Sequence, residues 1–265
     1  MSYRYETHLH TCQSSACAKS TGQEQVRFYK EMGYQGIIVT DHFFGSSCAV
    51  KRCESWKERV DRFFSGYEDA LIEGQKCGLD VFFGWEEFFE GDEYLVYGLD
   101  KQWLLNHPEA ENWTRAEQYK EVHRYGGCVI QAHPFRDRAY IPRVLLGLRY
   151  ADGIEVANSG NLPFEDALAM AYAQQYSLRI VAGSNNHCAD PELWRVKQLM
   201  GIETEVRLHS IHDYINLVRS CGEFCPIVPE ERFEIGRKQK RNIESFWLND
   251  EEEPVITGIN WLKEV

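Results

Sequence analysis

At 265 residues and 30.9 kDa the chain has room for one large domain or two small ones, and its 43% hydrophobic and 13% aromatic content can build a sizeable core. A formal charge of −12 and a pI near 5.3 argue against nucleic acid or an anionic lipid surface as partner. They leave a small anionic substrate open, because a bound metal can invert the local field.

No apolar run reaches the length of a membrane span, and the opening MSYRYETH lacks the basic-then-apolar layout of a signal peptide, so a soluble cytoplasmic protein is expected. The nine cysteines are irregularly spaced with no CxxC, which points to free thiols rather than a disulfide framework. Cys12, Cys17, Cys48 and Cys188 lie close to the motifs below as alternative soft ligands, although His and carboxylate sets there suffice.

Short apolar runs alternate with amphipathic segments. The first run is YRYETHLH (residues 3–10); a capping box, Thr21-x-x-Glu24, then opens a helix with Val26, Tyr29 and Met32 at helical spacing. GIIVT (36–40) is the second strand, and residues 54–77 read as one long helix carrying Trp56, Val60, Phe63, Phe64, Leu71 and Ile72. DVFFG (80–84), EYLVYGL (93–99) and CVIQA (128–132) follow, with a helix at 114–125 before the last. GIEVA (153–157), a helix at 164–176 with Pro163 near its start, RIVAG (179–183), the weaker GIETEV (201–206) and a helix at 210–220 complete the pattern.

Continuous rather than alternating apolar runs fit strands buried on both faces of a parallel sheet. Seven or so β/α units over about 220 residues predict a closed, TIM-barrel-like β/α barrel, although an open doubly wound sheet would fit the same pattern. We take residues 1–229 as the barrel domain and 230–265 as a solvated C-terminal extension packed on it by Phe246, Trp247 and Trp261.

The metal-capable residues fall at or just past strand C-termini, which in a β/α barrel form one surface. In HLH, His8 and His10 share a face of the first strand and can grip one ion. In TDH, His42 adds an imidazole, while Asp41 either binds metal or orients a histidine from behind. In GWEEFF a glutamate can bridge two cations. In AHPFRDR, His133 precedes a chain-turning Pro134, and Arg136 and Arg138 offer guanidinium forks to a phosphate. AGSNNH supplies Asn185 and His187. His107, His123, His209 and His212 lie away from the rim; Glu155, inside a strand, reads as structural, and Asn158 at that strand's end can touch the site. A His and carboxylate cluster suits Zn, Mn or Fe, and two or three such ions generate a nucleophile from water and clamp phosphate oxygens.

HLHT, GIIVTDH, GWE, AHP and AGSNNH, in this order over residues 3–190, resemble the PHP (polymerase and histidinol phosphatase) family of metal-dependent phosphoesterases. The resemblance implies a distorted seven-stranded β/α barrel with a di- or trinuclear site that hydrolyses phosphate esters. It carries His8, His10, His42, Glu86, His133 and His187 over as ligands. Glu86, two residues after the glycine, is preferred to Glu87, which is expected to be a solvated or hydrogen-bonded neighbour.

Two positions depart from the family pattern. Asn185 stands where relatives carry aspartate, so an amide oxygen would coordinate without charge. Glu93 stands where many have histidine, as a carboxylate replacement. The loop CQSSACAKS also lacks the His or Asp that some relatives place after HxHT. The expected activity is hydrolysis of a small phosphorylated substrate through metal-activated water. The alternatives are an amidohydrolase-type enzyme and a metal- or phosphate-binding domain without catalysis. Against the former, no lysine ends a strand.

Overall fold

The computed structural model describes residues 2–45 and 47–262. The chain opens with β1 (Tyr3–Leu9), α1 (Gly22–Glu31) and β2 (Gly36–Val39). Two helices, α2 (Trp56–Phe63) and α3 (Ser65–Cys77), lead into β3 (Asp80–Phe88) and β4 (Glu93–Tyr97). After α4 (Lys101–Asn106) and α5 (Arg115–Arg124) come β5 (Cys128–Ala132), β6 (Val144–Leu146) and β7 (Gly153–Asn158). Then follow α6 (Pro163–Tyr176), β8 (Arg179–Gly183), α7 (Pro191–Val196), β9 (Gly201–Thr204), α8 (Ile211–Arg219) and β10 (Cys225–Ile227). The chain ends with α9 (Arg232–Lys238), β11 (Ser245–Leu248) and β12 (Pro254–Ile256).

One nine-stranded sheet runs β10-β9-β1-β2-β3-β4-β5-β7-β8. It nearly closes on itself, because the chain leaving β8 returns along β1. Leu9 bridges Asn186 in parallel, the His10 amide donates to the Asn186 carbonyl at 2.9 Å, and Thr7 Oγ1 donates to the Ala182 carbonyl at 2.8 Å. The result is the expected α/β barrel with more strands than the seven foreseen. β4 pairs antiparallel with both neighbours. The reason is chain length: β3 continues to Phe88, only the four residues 89–92 separate it from β4, and a parallel return needs a crossover of a dozen or more. β9 is antiparallel to β1 and β10.

The helical face expected over 54–77 is divided at Phe64, where α2 ends and α3 begins. The division brings Gly66 against the end of β1: a Cβ there would stand 1.9 Å from Thr11 Oγ1 and 3.1 Å from Asp41 Oδ2. Phe63 and Phe64 are both buried in an aromatic cluster with Phe43, Phe83 and Trp85. The Thr21 capping box is present, with Val26 and Tyr29 buried beneath it, whereas Met32 caps the C-terminus of α1 and is exposed. After residue 229, β11 pairs with β6, and Trp261 is fully buried against Phe135, Tyr172 and Trp247. No helix among the described residues is long and apolar enough to cross a membrane.

Candidate metal centre

β1 aims His8 inward, and His10 follows just past its end; both are fully buried. His42 follows β2, Glu86 lies near the end of β3, Glu93 begins β4, His133 follows β5 and His187 follows β8. The barrel brings these side chains together. Four imidazole nitrogens crowd the Glu86 carboxylate: His42 Nδ1 at 3.0 Å, His133 Nε2 at 3.1 Å, His8 Nε2 at 3.2 Å and His10 Nε2 at 3.4 Å. His8 Nε2 and His10 Nε2 are 3.2 Å apart. Glu93 reaches His133 Nε2 at 3.4 Å and His42 Nδ1 at 4.0 Å. Three overlapping sets of donor atoms lie within 4.8 Å of one another: His10, His42 and His187; His8, Glu86 and His133; and His42, Glu86 and Glu93.

Residues behind these donors set which nitrogen faces the centre. Glu155 accepts from His8 Nδ1 at 3.0 Å, which leaves the Nε2 lone pair inward. The Ser15 hydroxyl donates to Asp41 at 2.6 Å, so its oxygen accepts from His10 Nδ1 at 3.2 Å and His10 too presents Nε2 as an acceptor. The backbone carbonyl of Asn185 takes His187 Nδ1 at 2.9 Å. Neutral imidazoles in these tautomers would turn their lone pairs toward one another and the Glu86 carboxylate, an arrangement that a cation satisfies; without one, His8 and His42 are raised, against burial, to the protonated state by the carboxylates beside them, and His133 Nε2 hydrogen-bonds Glu86 Oε1 at 3.1 Å. Glu86 Oε2 and His42 Nδ1 are buried yet lack a properly directed hydrogen bond. The donor set thus fits divalent ions such as Zn, Mn or Fe.

Ionisation follows the same crowding. Burial opposes the charge on Glu86, but His8 and His42 hold its carboxyl well below the usual carboxylate range. Burial depresses His10, and His187 and His42 add to that, so its imidazole stays neutral. Burial, then the Glu86 charge, pushes Glu93 up to about 7.

The remaining residues singled out in the sequence are placed as follows. Asp41 points away from the donors: its oxygens accept from the Thr11 amide at 2.6 Å, Thr11 Oγ1 at 2.7 Å and Ser15 Oγ at 2.6 Å. Burial pushes it up to about 6 despite those hydrogen bonds. Asn185 lies between histidines and arginine. Oriented to satisfy both ends of its amide, its nitrogen donates to His10 Nε2 at 3.1 Å and its oxygen accepts from Arg136 at 3.1 and 3.2 Å. Asn158 and Asn161 hold the same guanidinium through their side-chain oxygens at 2.9 and 3.0 Å. Among the described residues Arg136 has no carboxylate within 4.0 Å. Arg138 instead pairs with the buried Glu165 and donates to the Gly160 carbonyl. Glu87 is buried rather than solvated, with one hydrogen bond from the Phe88 amide at 3.2 Å.

Sequence reasoning missed the part played by Glu155. Besides His8, it accepts from the His133 amide at 3.0 Å and from Asn158 Nδ2 at 2.8 Å. Gly183 makes room for it, since a Cβ there would lie 2.6 Å from both Glu155 Oε1 and His8 Cβ. A carboxylate inside a continuous buried strand must find partners, and that was the available signal. Cys17, one of the four cysteines named above as alternative soft ligands, lies in the loop after β1. Burial raises its thiol, but the neighbouring His187 and His42 imidazoles outweigh that and bring it down to about 6.

No family model matches the chain, and no curated protein matches its sequence. Solved structures do match its fold. A two-domain Bacteroides vulgatus protein containing a predicted PHP-like metal-dependent phosphoesterase aligns over 92% of this chain and 74% of its own, with 13% identity and a TM-score of 0.63. A candidate metal-dependent phosphoesterase from Bifidobacterium adolescentis aligns over 82% of this chain and 96% of its own, with 15% identity and a TM-score of 0.50. The barrel is thus of the kind seen in these two proteins.

Proposed function

We propose that the protein is a phosphoesterase that hydrolyses a small phosphate ester with two or three divalent ions, Zn, Mn or Fe, held at the barrel rim. The observation that carries this reading is the Glu86 carboxylate set among four imidazole nitrogens at 3.0 to 3.4 Å, with the outer nitrogens of His8 and His10 tied back. His8, Glu86 and His133 would hold one ion, His10, His42 and His187 a second, and His42, Glu86 and Glu93 bound a third position. Ions bound there would acidify a water and polarise a phosphoryl oxygen.

The chain's own residues supply the remainder. Arg136 is held by three neutral amide oxygens beside the donors, so its charge is oriented but not cancelled, and it binds a phosphate oxygen through two N–H groups. Arg138, neutralised by Glu165, is the weaker candidate for that role. Asp41 positions rather than touches: it fixes Ser15 and thereby the His10 ring. Glu155 does the same for His8 and for the backbone at His133.

The test is metal analysis of the purified protein followed by a phosphate-ester panel with added Mn or Zn. Chelator-sensitive turnover of a phosphomonoester or phosphodiester is expected. Bound metal with hydrolysis of an amide or lactone instead would replace this reading with an amidohydrolase-type one. Bound metal without any hydrolysis would leave a binding domain, and protein that stays metal-free after loading would refute the whole scheme.

A further inference from the structure

We propose that Arg232, in the C-terminal extension, is a positioning residue for the phosphate site: it locks the loop whose amide oxygens hold Arg136. The inference deepens the phosphoesterase reading and rests on the role given there to Arg136.

Two side-chain amides in the loop after β7 aim Arg136, and a carboxylate sets the orientation of each. Asn158 gives its Nδ2 to Glu155 at 2.8 Å, which turns its Oδ1 to Arg136 Nη2 at 2.9 Å. Asn161 gives its Nδ2 to Asp166 at 2.8 Å, which turns its Oδ1 to Arg136 Nε at 3.0 Å. Both amides and both carboxylates are buried, so each donor and acceptor depends on the partner it has. The guanidinium passes so close to this loop that a Cβ at Gly160 would stand 2.9 Å from its Nη2.

Arg232 holds the same loop from behind. It reaches the loop because α9 lies close against the start of α6, where a Cβ at Gly236 would stand 2.7 Å from Ala167 Cβ. Its Nε donates to Asp166, and its Nη2 donates to the backbone carbonyls of Asn158 at 3.0 Å and Asn161 at 2.8 Å. One guanidinium therefore ties down both residues that aim Arg136 and the carboxylate that orients Asn161. Its side chain is only 15% exposed, and its planar fork matches acceptors that the single ammonium of a lysine does not. The charge of Arg232 is spent on Asp166, whereas Arg136, held by neutral oxygens, keeps its own for the phosphate. Without Arg232, two backbone carbonyls lose a donor and Asp166 loses its cation, so the loop can shift and carry Arg136 with it.

The experiment is calorimetric titration of inorganic phosphate into the manganese-loaded full chain. It compares the wild type with Arg136→Ala, Arg232→Ala, Arg232→Lys and the Arg136→Ala/Arg232→Ala double variant, with metal content counted in each. Arg136→Ala should weaken phosphate by about 10- to 100-fold, and Arg232→Ala by about three- to tenfold at unchanged metal content, the worth of one misplaced hydrogen bond. The double variant should bind no more weakly than Arg136→Ala alone, a result that a general loss of stability would not give. Arg232→Lys keeps a cation beside Asp166 and should recover part of the loss; if Arg232→Ala does not fold, this variant carries the test and should fall short of the wild type. Wild-type phosphate affinity in the folded variant that carries the test, or a double variant weaker than Arg136→Ala by the full Arg232→Ala factor, overturns the assignment and leaves Arg136 in its role. A wild type that binds no phosphate, or an Arg136→Ala variant that binds it as tightly as the wild type, overturns the phosphate role of Arg136 and this assignment with it.

Discussion

Replacing Asn185 with aspartate adds one negative charge where the amide nitrogen now stands 3.1 Å from His10 Nε2 and the amide oxygen 3.1 and 3.2 Å from Arg136. The amide cannot turn its oxygen toward the histidines without presenting its NH2 group to a guanidinium, so Arg136 keeps it from serving as a ligand. A carboxylate has no such conflict: one oxygen stays with Arg136 and the other turns to a cation held by His10. A unit charge about 4 Å from another in an effective dielectric of 20 is worth about 4 kcal/mol, and desolvating the carboxylate removes a large part of it. A net gain of roughly 1.5–3 kcal/mol corresponds to about ten- to hundredfold tighter metal retention. The same charge neutralises Arg136, so the KM for a phosphate ester should rise by about three- to tenfold, consistent with exchanging a free cation for a charge-assisted pair. Chelator competition measures the first effect and steady-state kinetics on metal-saturated enzyme the second. A folded Asn185→Asp protein with unchanged metal affinity and unchanged KM would refute the reasoning.

Glu155→Gln leaves one acceptor oxygen for three donors; with that oxygen kept by the His133 amide and Asn158, an NH2 group faces His8 Nδ1 and the ring is no longer tied back, so metal affinity should fall by about 10- to 100-fold in chelator titrations. An unaltered titration would mean the hydrogen bond does not position the ring. Arg136→Ala should raise the KM for a phosphate ester by about 10- to 100-fold at unchanged metal content, and Arg138→Ala should have much the smaller effect. Equal effects of the two substitutions would remove Arg136 from its assigned role. Burial, then the Glu111 charge, raises the Glu87 carboxyl well above its usual range. The folded state therefore binds that proton more tightly than the unfolded chain does, and stability falls as pH climbs above about 4.5. Glu87→Gln should flatten this decline and raise the Tm at pH 8 by about 2–8 °C, from roughly 1–3 kcal/mol per buried unpaired polar group. Calorimetric profiles of the two proteins that run parallel over this range would contradict that assignment.

The rim was legible in the sequence because a buried strand announces where it stops. His8, His10, His42, Glu86, His133 and His187 could each be placed at or near a strand end, and a barrel gives those ends one surface. What periodicity hid was pairing direction. GWEEFF looked like the loop after a short strand, yet β3 runs on through it and turns directly into β4, which is why Glu93 arrives at the centre from an antiparallel neighbour. The second rank of residues was hidden for a different reason. Glu155 and Ser15 sit in segments with no motif of their own, and their importance comes from contacts made with other segments, 147 positions apart for His8 and Glu155.

The arrangement costs the fold something, and several of the costs meet at the rim. His133 and Asn185 both hold positive φ, 28° and 51°, where non-glycine residues are strained by about 1–3 kcal/mol each. Glu86 Oε2 and His42 Nδ1 are buried without a directed hydrogen bond. Away from the rim, by contrast, buried carboxylates find cations and amides: Asp92 meets Arg115, and Asp166 is held by Arg232, Asn161 and the Asn158 amide. At the rim the carboxylate of Glu86 meets four histidines, two of which, His8 and His10, have given their outer nitrogens to other partners. Backbone strain and unmet polarity at the convergence of strand ends are what a pre-organised cation site requires, since its donors must be held in place before an ion arrives.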